Sequence, residues 1–216
     1  MAKKTVKTGS AGDAAEKRDA AEKRKTGKDA GFAETISGVV AGLGVKEKKQ
    51  DELIGETRLF IRECANAIKA LHEDDYATAR STAERLDVQA KALREKAGDE
   101  FSGMLGTCMQ EYVEIKCLLA LLEEKPLPKP AELGVEGVAF LNGLADCVGE
   151  LRRALQIALR HGENARAEYL FAKMNELYDA LMAVKFSASL VGGLRRKTDV
   201  LRGQLEQARS EMLRAK

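Results

Sequence analysis

Val138-Ala-Phe-Leu-Asn-Gly-Leu-Ala-Asp-Cys-Val-Gly-Glu-Leu-Arg-Arg-Ala-Leu-Gln-Ile-Ala-Leu159 is the stretch that decides the fold. Val138, Leu141, Leu144, Val148, Leu151, Leu155 and Leu159 recur at spacings of three or four, the period of one helix face. A half-buried strand would alternate every second residue, and this stretch does not. It predicts a helix over 135–160, stopped by Gly162. Working outward, helices are predicted over 164–184 and 189–214, the last bent near Gly192-Gly193. On the N-terminal side, Pro126, Pro128 and Pro130 forbid helix and mark one clear loop. Before it come helices over 99–124 and 76–96, the second ended by Gly98. Asp74 or Asp75 can cap that second helix. A further helix over 50–71 carries the stripe Leu53, Thr57, Phe60, Ile61, Cys64, Ile68 and Leu71. The fold class is all-α, a bundle of six to seven helices over residues 46–216.

Composition agrees. The chain has 216 residues, of which 44% are hydrophobic and only 5% aromatic, with no tryptophan. A sandwich or barrel draws more heavily on aromatic and β-branched residues. Residues 1–31 form a low-complexity tail in which Asp-Ala-Ala-Glu-Lys-Arg occurs at 13–18 and again at 19–24. Lacking large apolar side chains, that tail cannot offset the entropy of ordering. Residues 32–45 are Gly-rich and weakly apolar and read as a linker or a loosely docked segment, so the boundary is placed between 45 and 46. No apolar run of about 18 residues is present, which excludes a membrane span. With no secretory h-region and no CxxC spacing among Cys64, Cys108, Cys117 and Cys147, the chain reads as cytoplasmic, with reduced thiols in its core.

The net charge of +2 hides a pattern. Residues 1–30 carry +4, residues 31–150 carry −8 and residues 151–216 carry +6. A basic C-terminal third fits a polyanionic partner, and a set of solvated helix faces would look the same. Arg195, Arg196, Lys197 and Arg202 are the candidates for phosphate contact, with Arg153 on the preceding helix.

The helix over 99–124 carries the chemistry. Its half from Cys117 to Leu122 is apolar nearly all round, so it is expected to be buried on most sides. One seam reads Met104, Cys108, Glu111, Ile115, Leu118, Leu122, and Glu114 follows Glu111 on the same side. Neither glutamate has a cation three or four residues away. Like charges at that spacing repel and burial adds to the cost, so a divalent cation or a facing Arg or Lys must compensate. Asp146 and Glu150 form a second same-face pair on the helix over 135–160, with Arg153 within pairing reach of Glu150. Two such helices can converge their hard oxygen ligands on Mg²⁺ or Mn²⁺. Such a site could activate a water and stabilise charge on a phosphodiester. The plainer reading of either pair is a solvated acidic face. His72 and His161 make no E-x-x-H or H-x-x-x-H pair, which disfavours a di-iron site.

Gln110-Glu-Tyr-Val-Glu114 and Gly143-Leu-Ala-Asp-Cys-Val-Gly-Glu-Leu-Arg152 resemble two motifs of the translin superfamily, in its translin-associated factor X branch. Leu194-Arg-Arg-Lys-Thr-Asp-Val-Leu-Arg202 is similar to the family's last helix, and Ala65–His72 to its first. The likeness runs over roughly residues 48–216 and leaves out the tail. It implies a seven-helix domain that assembles into hollow, roughly octameric shells around RNA or single-stranded DNA. X-type members are Mg²⁺-dependent endoribonucleases, and archaeal relatives form homo-oligomers. Their catalytic carboxylates match Glu111, Glu114, Asp146 and Glu150. Plain translin subunits lack that set and bind without cutting. The expectation is therefore a Mg²⁺-dependent endoribonuclease acting on single-stranded RNA inside a homo-oligomeric shell. The alternative is a non-catalytic single-strand-binding protein. An all-α nucleoside triphosphate pyrophosphatase would also present an E-x-x-E helix, but its second pair would be E-x-x-D rather than the D-x-x-x-E found here.

Overall fold

The computed structural model describes residues 11–215, with side chains for Arg18 and for 31–215. Residues 1–10 of the expected tail, and Lys216, lie outside the described residues. The chain divides into two units, Met1–Asp51 and Glu52–Lys216. In the first, the described residues are helical and their side chains largely exposed, including Phe32, Ile36, Val39 and Leu43.

The elements are α1 (Ala11–His72), α2 (Tyr76–Phe101), α3 (Gly106–Leu122), α4 (Pro130–Leu133), α5 (Gly137–Arg160), α6 (Asn164–Met182), α7 (Ala188–Val191) and α8 (Leu194–Arg214). Six are long, two are single turns, and no strand occurs among the described residues. This is the all-α bundle that the helical periodicities predict. No helix of the described residues is long and apolar enough to cross a membrane.

Several boundaries follow from local chemistry. Asp75 caps α2, its side chain accepting from the Thr78 amide at 3.0 Å. Gly98 interrupts α2 with a φ of 58°, a left-handed value that favours glycine. A 3-10 turn over Ser102–Leu105 follows, so α3 begins at Gly106 rather than near Asp99. The proline loop is not wholly free of helix: Pro130 opens the single turn α4. Proline is tolerated there because a first-turn amide has no intrahelical acceptor. The expected bend at Gly192-Gly193 is a break between α7 and α8, with Gly192 at a φ of 58°.

In the second unit α5 is the central helix. It packs on α3, α6 and α8, while α2 packs on α3. Leu151 and Leu155 of its stripe are fully buried, with Val113, Ile115 and Leu118 of α3. Leu53, Phe60, Cys64 and Leu71 of α1 bury the face that the sequence assigns to the core. Phe60 meets Tyr112 of α3 at a ring-centroid distance of 6.0 Å.

Candidate active site

The two acidic pairs meet because α3 and α5 approach closely at one glycine. A Cβ on Gly143 would stand 2.4 Å from the carbonyl oxygen of Gln110 and 2.8 Å from Cβ of Val113. No real side chain tolerates such distances, so only glycine permits this crossing. Gln110 immediately precedes Glu111, and Gly143 lies three residues, one helical turn, before Asp146. The contact therefore sets Glu111 and Glu114 within the electrostatic field of Asp146 and Glu150.

Glu114 is 8% exposed, and its carboxylate makes no hydrogen bond or ion pair among the described residues. Burial first, and then Glu111, Asp146 and Glu150, push its carboxyl up to about 8. Glu111 is raised for the same reasons, burial leading and Asp146 next, with Lys197 opposing. The two pairs of the sequence thus form one cluster.

The residues of α5 are held from other helices. Lys197, in the first turns of α8, places Nζ 2.5 Å from Asp146 Oδ2. The same ammonium donates to Gln110 Oε1 and to the Asn142 carbonyl, both at 3.1 Å. The Asn142 side chain, 2% exposed, donates to the carbonyls of Val138 at 2.9 Å and Val191 at 3.1 Å. That bridge ties α7 to α5 and brings α8 in where Lys197 can reach. Glu150 accepts from His72 Nε2 at 2.6 Å, across from the end of α1. The His72 side chain is 3% exposed, and its Nδ1 is buried without a hydrogen-bond partner among the described residues. The His72 bond, outweighing partial burial, holds the Glu150 carboxyl below its ordinary value, with Arg153 at 3.9 Å assisting.

A cleft of about 500 Å³ opens over this cluster, lined by Glu114, Asp146, Glu150, Arg196, Lys197 and Gln204. Glu111 is not on its wall. Arg195 and Arg202 line a separate cleft with Lys185 and Asp199, where Arg202 Nε donates to the Tyr178 hydroxyl at 3.1 Å. The basic cluster of α8 is thus divided: Arg196 and Lys197 face the carboxylates, Arg195 and Arg202 face away. Arg153 is mostly exposed beside Glu150. Among the described residues, no three His, Cys, Asp or Glu side chains stand in metal-ligating geometry. All four cysteines are free and buried. Burial pushes Cys108 up to about 11 and Cys117 up to about 12, so they are unreactive packing groups.

His72, Gln110 and Asn142 were not legible as site residues. His72 follows the core residue Leu71, but a lone histidine at a helix end carries no spacing signal. Asn142 shows only as a polar residue inside an apolar stripe, the one hint that it is satisfied by a tertiary partner.

An all-α bundle with acidic pairs from two helices gathered under a basic-rimmed cleft defines the class. No family model matches the chain. It is 32% identical over 174 residues to the uncharacterized protein MJ0175 of Methanocaldococcus jannaschii, covering 79% of this chain and 78% of that one. Among solved structures it is similar to AfC3PO, with 30% identity, a TM-score of 0.75, and 83% of this chain and 96% of that chain covered. AfC3PO in complex with duplex RNA matches at 29% identity and the same TM-score over 83% of this chain and 95% of that chain. Apo-NeC3PO shares the fold, with 24% identity and a TM-score of 0.73 over 79% of this chain and 91% of that chain. The chain belongs to the translin superfamily.

Proposed function

We propose that this chain is a divalent-metal-dependent endoribonuclease of the X-type branch, cutting single-stranded RNA inside a closed homo-oligomer. The observation that carries the reading is that Glu114, Asp146 and Glu150 line one cleft of a translin-family bundle, with Glu111 behind it in their electrostatic field. By its chemistry the donor set suits a hard cation, and its side chains would have to close in to ligate one. Four carboxylates lie within one another's field, and the most buried is pushed up to about 8 by burial first and then by the other three. Glu111, Glu114, Asp146 and Glu150 would hold Mg²⁺ or Mn²⁺. Bound there, the ion supplies Lewis-acid polarisation of a phosphodiester oxygen and lowers the pKa of water.

The chain's own residues do the rest. As ligands Glu111 and Glu114 would be held ionised, which burial and the neighbouring carboxylates otherwise oppose. His72 fixes one oxygen of Glu150, a residue that lines the cleft. A carboxylate of the cluster takes the proton of the attacking water. Arg196, on the rim, is placed to hold a non-bridging phosphate oxygen. Arg153, Arg195 and Arg202 offer further backbone contacts, and single-stranded DNA would meet the same charges.

The deciding assay is cleavage of end-labelled single-stranded and duplex RNA with Mg²⁺ or EDTA. Fragments should require metal and vanish in Glu114→Gln and Asp146→Asn. Equal rates in wild type and both variants would sink the assignment. A second reading has one observation in its favour: Asp146 is already paired with Lys197. On that reading the protein retains RNA in EDTA and in Mg²⁺ alike, without cutting it.

A further inference from the structure

We propose that Lys197 is a resident counter-cation of the carboxylate cluster, which competes with a divalent metal for the charge of Asp146. The inference rests on the reading of the cluster as a metal site. Three oxygens from α3 and α5 surround the ammonium: Asp146 Oδ2 at 2.5 Å, Gln110 Oε1 at 3.1 Å and the Asn142 carbonyl at 3.1 Å. They come from the two helices that carry the acidic pairs, so the lysine sits where positive charge is most needed. Its field reaches Glu111 and Glu114 as well as its bonded partner.

A metal on Asp146 and the ammonium 2.5 Å from Oδ2 of the same carboxylate repel each other in a partly dry site, so each weakens the other's hold on it. The lysine has somewhere to go. Its side chain is 27% exposed and lines the same cleft as Arg196. Released from Asp146, the ammonium can turn along that wall toward a phosphate of the substrate. Lys197 would then serve two states: it neutralises the cluster before metal arrives, and it joins Arg196 at the phosphate afterwards. Metal binding and phosphate capture are thereby coupled through one side chain. Lys197 is a positioning residue in the first state.

The test is titration of the full chain with Mn²⁺ alone, without RNA, reading free Mn²⁺ by electron paramagnetic resonance. Lys197→Met should bind Mn²⁺ at least tenfold tighter than wild type, about 1.4 kcal/mol. Lys197→Gln, which leaves a neutral donor for Asp146, should show a gain in the same direction. It also serves if the methionine variant fails to fold, as judged by helical circular dichroism. A merely structural lysine would lose affinity on replacement. Unchanged or weaker binding in folded variants, with wild-type binding lost in Glu111→Ala/Glu114→Ala, overturns the proposal and leaves the metal site standing. No Mn²⁺ binding in any of them removes the metal site and the proposal together.

Discussion

Glu114 is the residue whose environment has the clearest consequence. Its folded value of about 8 lies above the ordinary 4.5, so the folded chain holds this proton more tightly than the unfolded one. The stability it contributes is fully present below pH 4.5 and is lost as pH rises through about 8. In EDTA, thermal stability should therefore fall across that window, and Glu114→Gln should flatten the slope. The gain at pH 8 should be on the order of a few kcal/mol, read as an upward shift in Tm. Saturating Mg²⁺ should flatten the wild-type slope too. A wild-type slope that the glutamine variant leaves intact would place the titration elsewhere. Glu150 behaves oppositely: lowered by His72, it contributes stability that is lost only as pH falls into the acid range. His72→Ala removes its buried donor and should cost roughly 1–3 kcal/mol in urea denaturation.

At the scale of elements, the site exists because two helices touch. Gly143 is the contact, and Gly143→Ala forces α5 away from the Gln110 carbonyl. Overpacking of this kind costs about 1–3 kcal/mol. The larger effect should fall on function: Mn²⁺ affinity should drop although no carboxylate is changed. Wild-type Mn²⁺ binding in Gly143→Ala would mean that the crossing does not set the cluster. The seam through Cys108, Glu111, Ile115 and Leu118 put the glutamates on a buried helix, and burial of Glu114 agrees. Spacing along one helix cannot report what faces it. The compensating charge came from Lys197, 51 residues from its partner Asp146.

For the whole molecule, charge is the guide. The basic C-terminal third is divided by the fold, with Arg195 and Arg202 on one cleft and Arg196 and Lys197 on another. If RNA runs over both, affinity should fall steeply with salt, and Arg195→Ala/Arg202→Ala should reduce the slope of log K against log salt by roughly 1–2. Gel retention at several ionic strengths measures it, and an unaltered slope would place the RNA away from the second cleft. A closed homo-oligomer is expected, and light scattering that finds only the 23.5 kDa monomer would exclude an enclosed substrate.

Sequence by itself determined the helical class and most helix positions and marked the four carboxylates as candidates, because periodicity and same-face spacing are local properties of one helix. It also placed all four cysteines in the core, where they are. The cap at Asp75 and the Gly98 interruption were equally local. Only the tertiary structure decided that His72 holds Glu150, that Asn142 ties α7 to α5, and that Lys197 turns inward rather than toward solvent. Those contacts join residues 49 to 78 positions apart, a separation that no helical period encodes. They arise where Gly143 lets two backbones meet and buried charge must find a partner from whichever helix lies across from it.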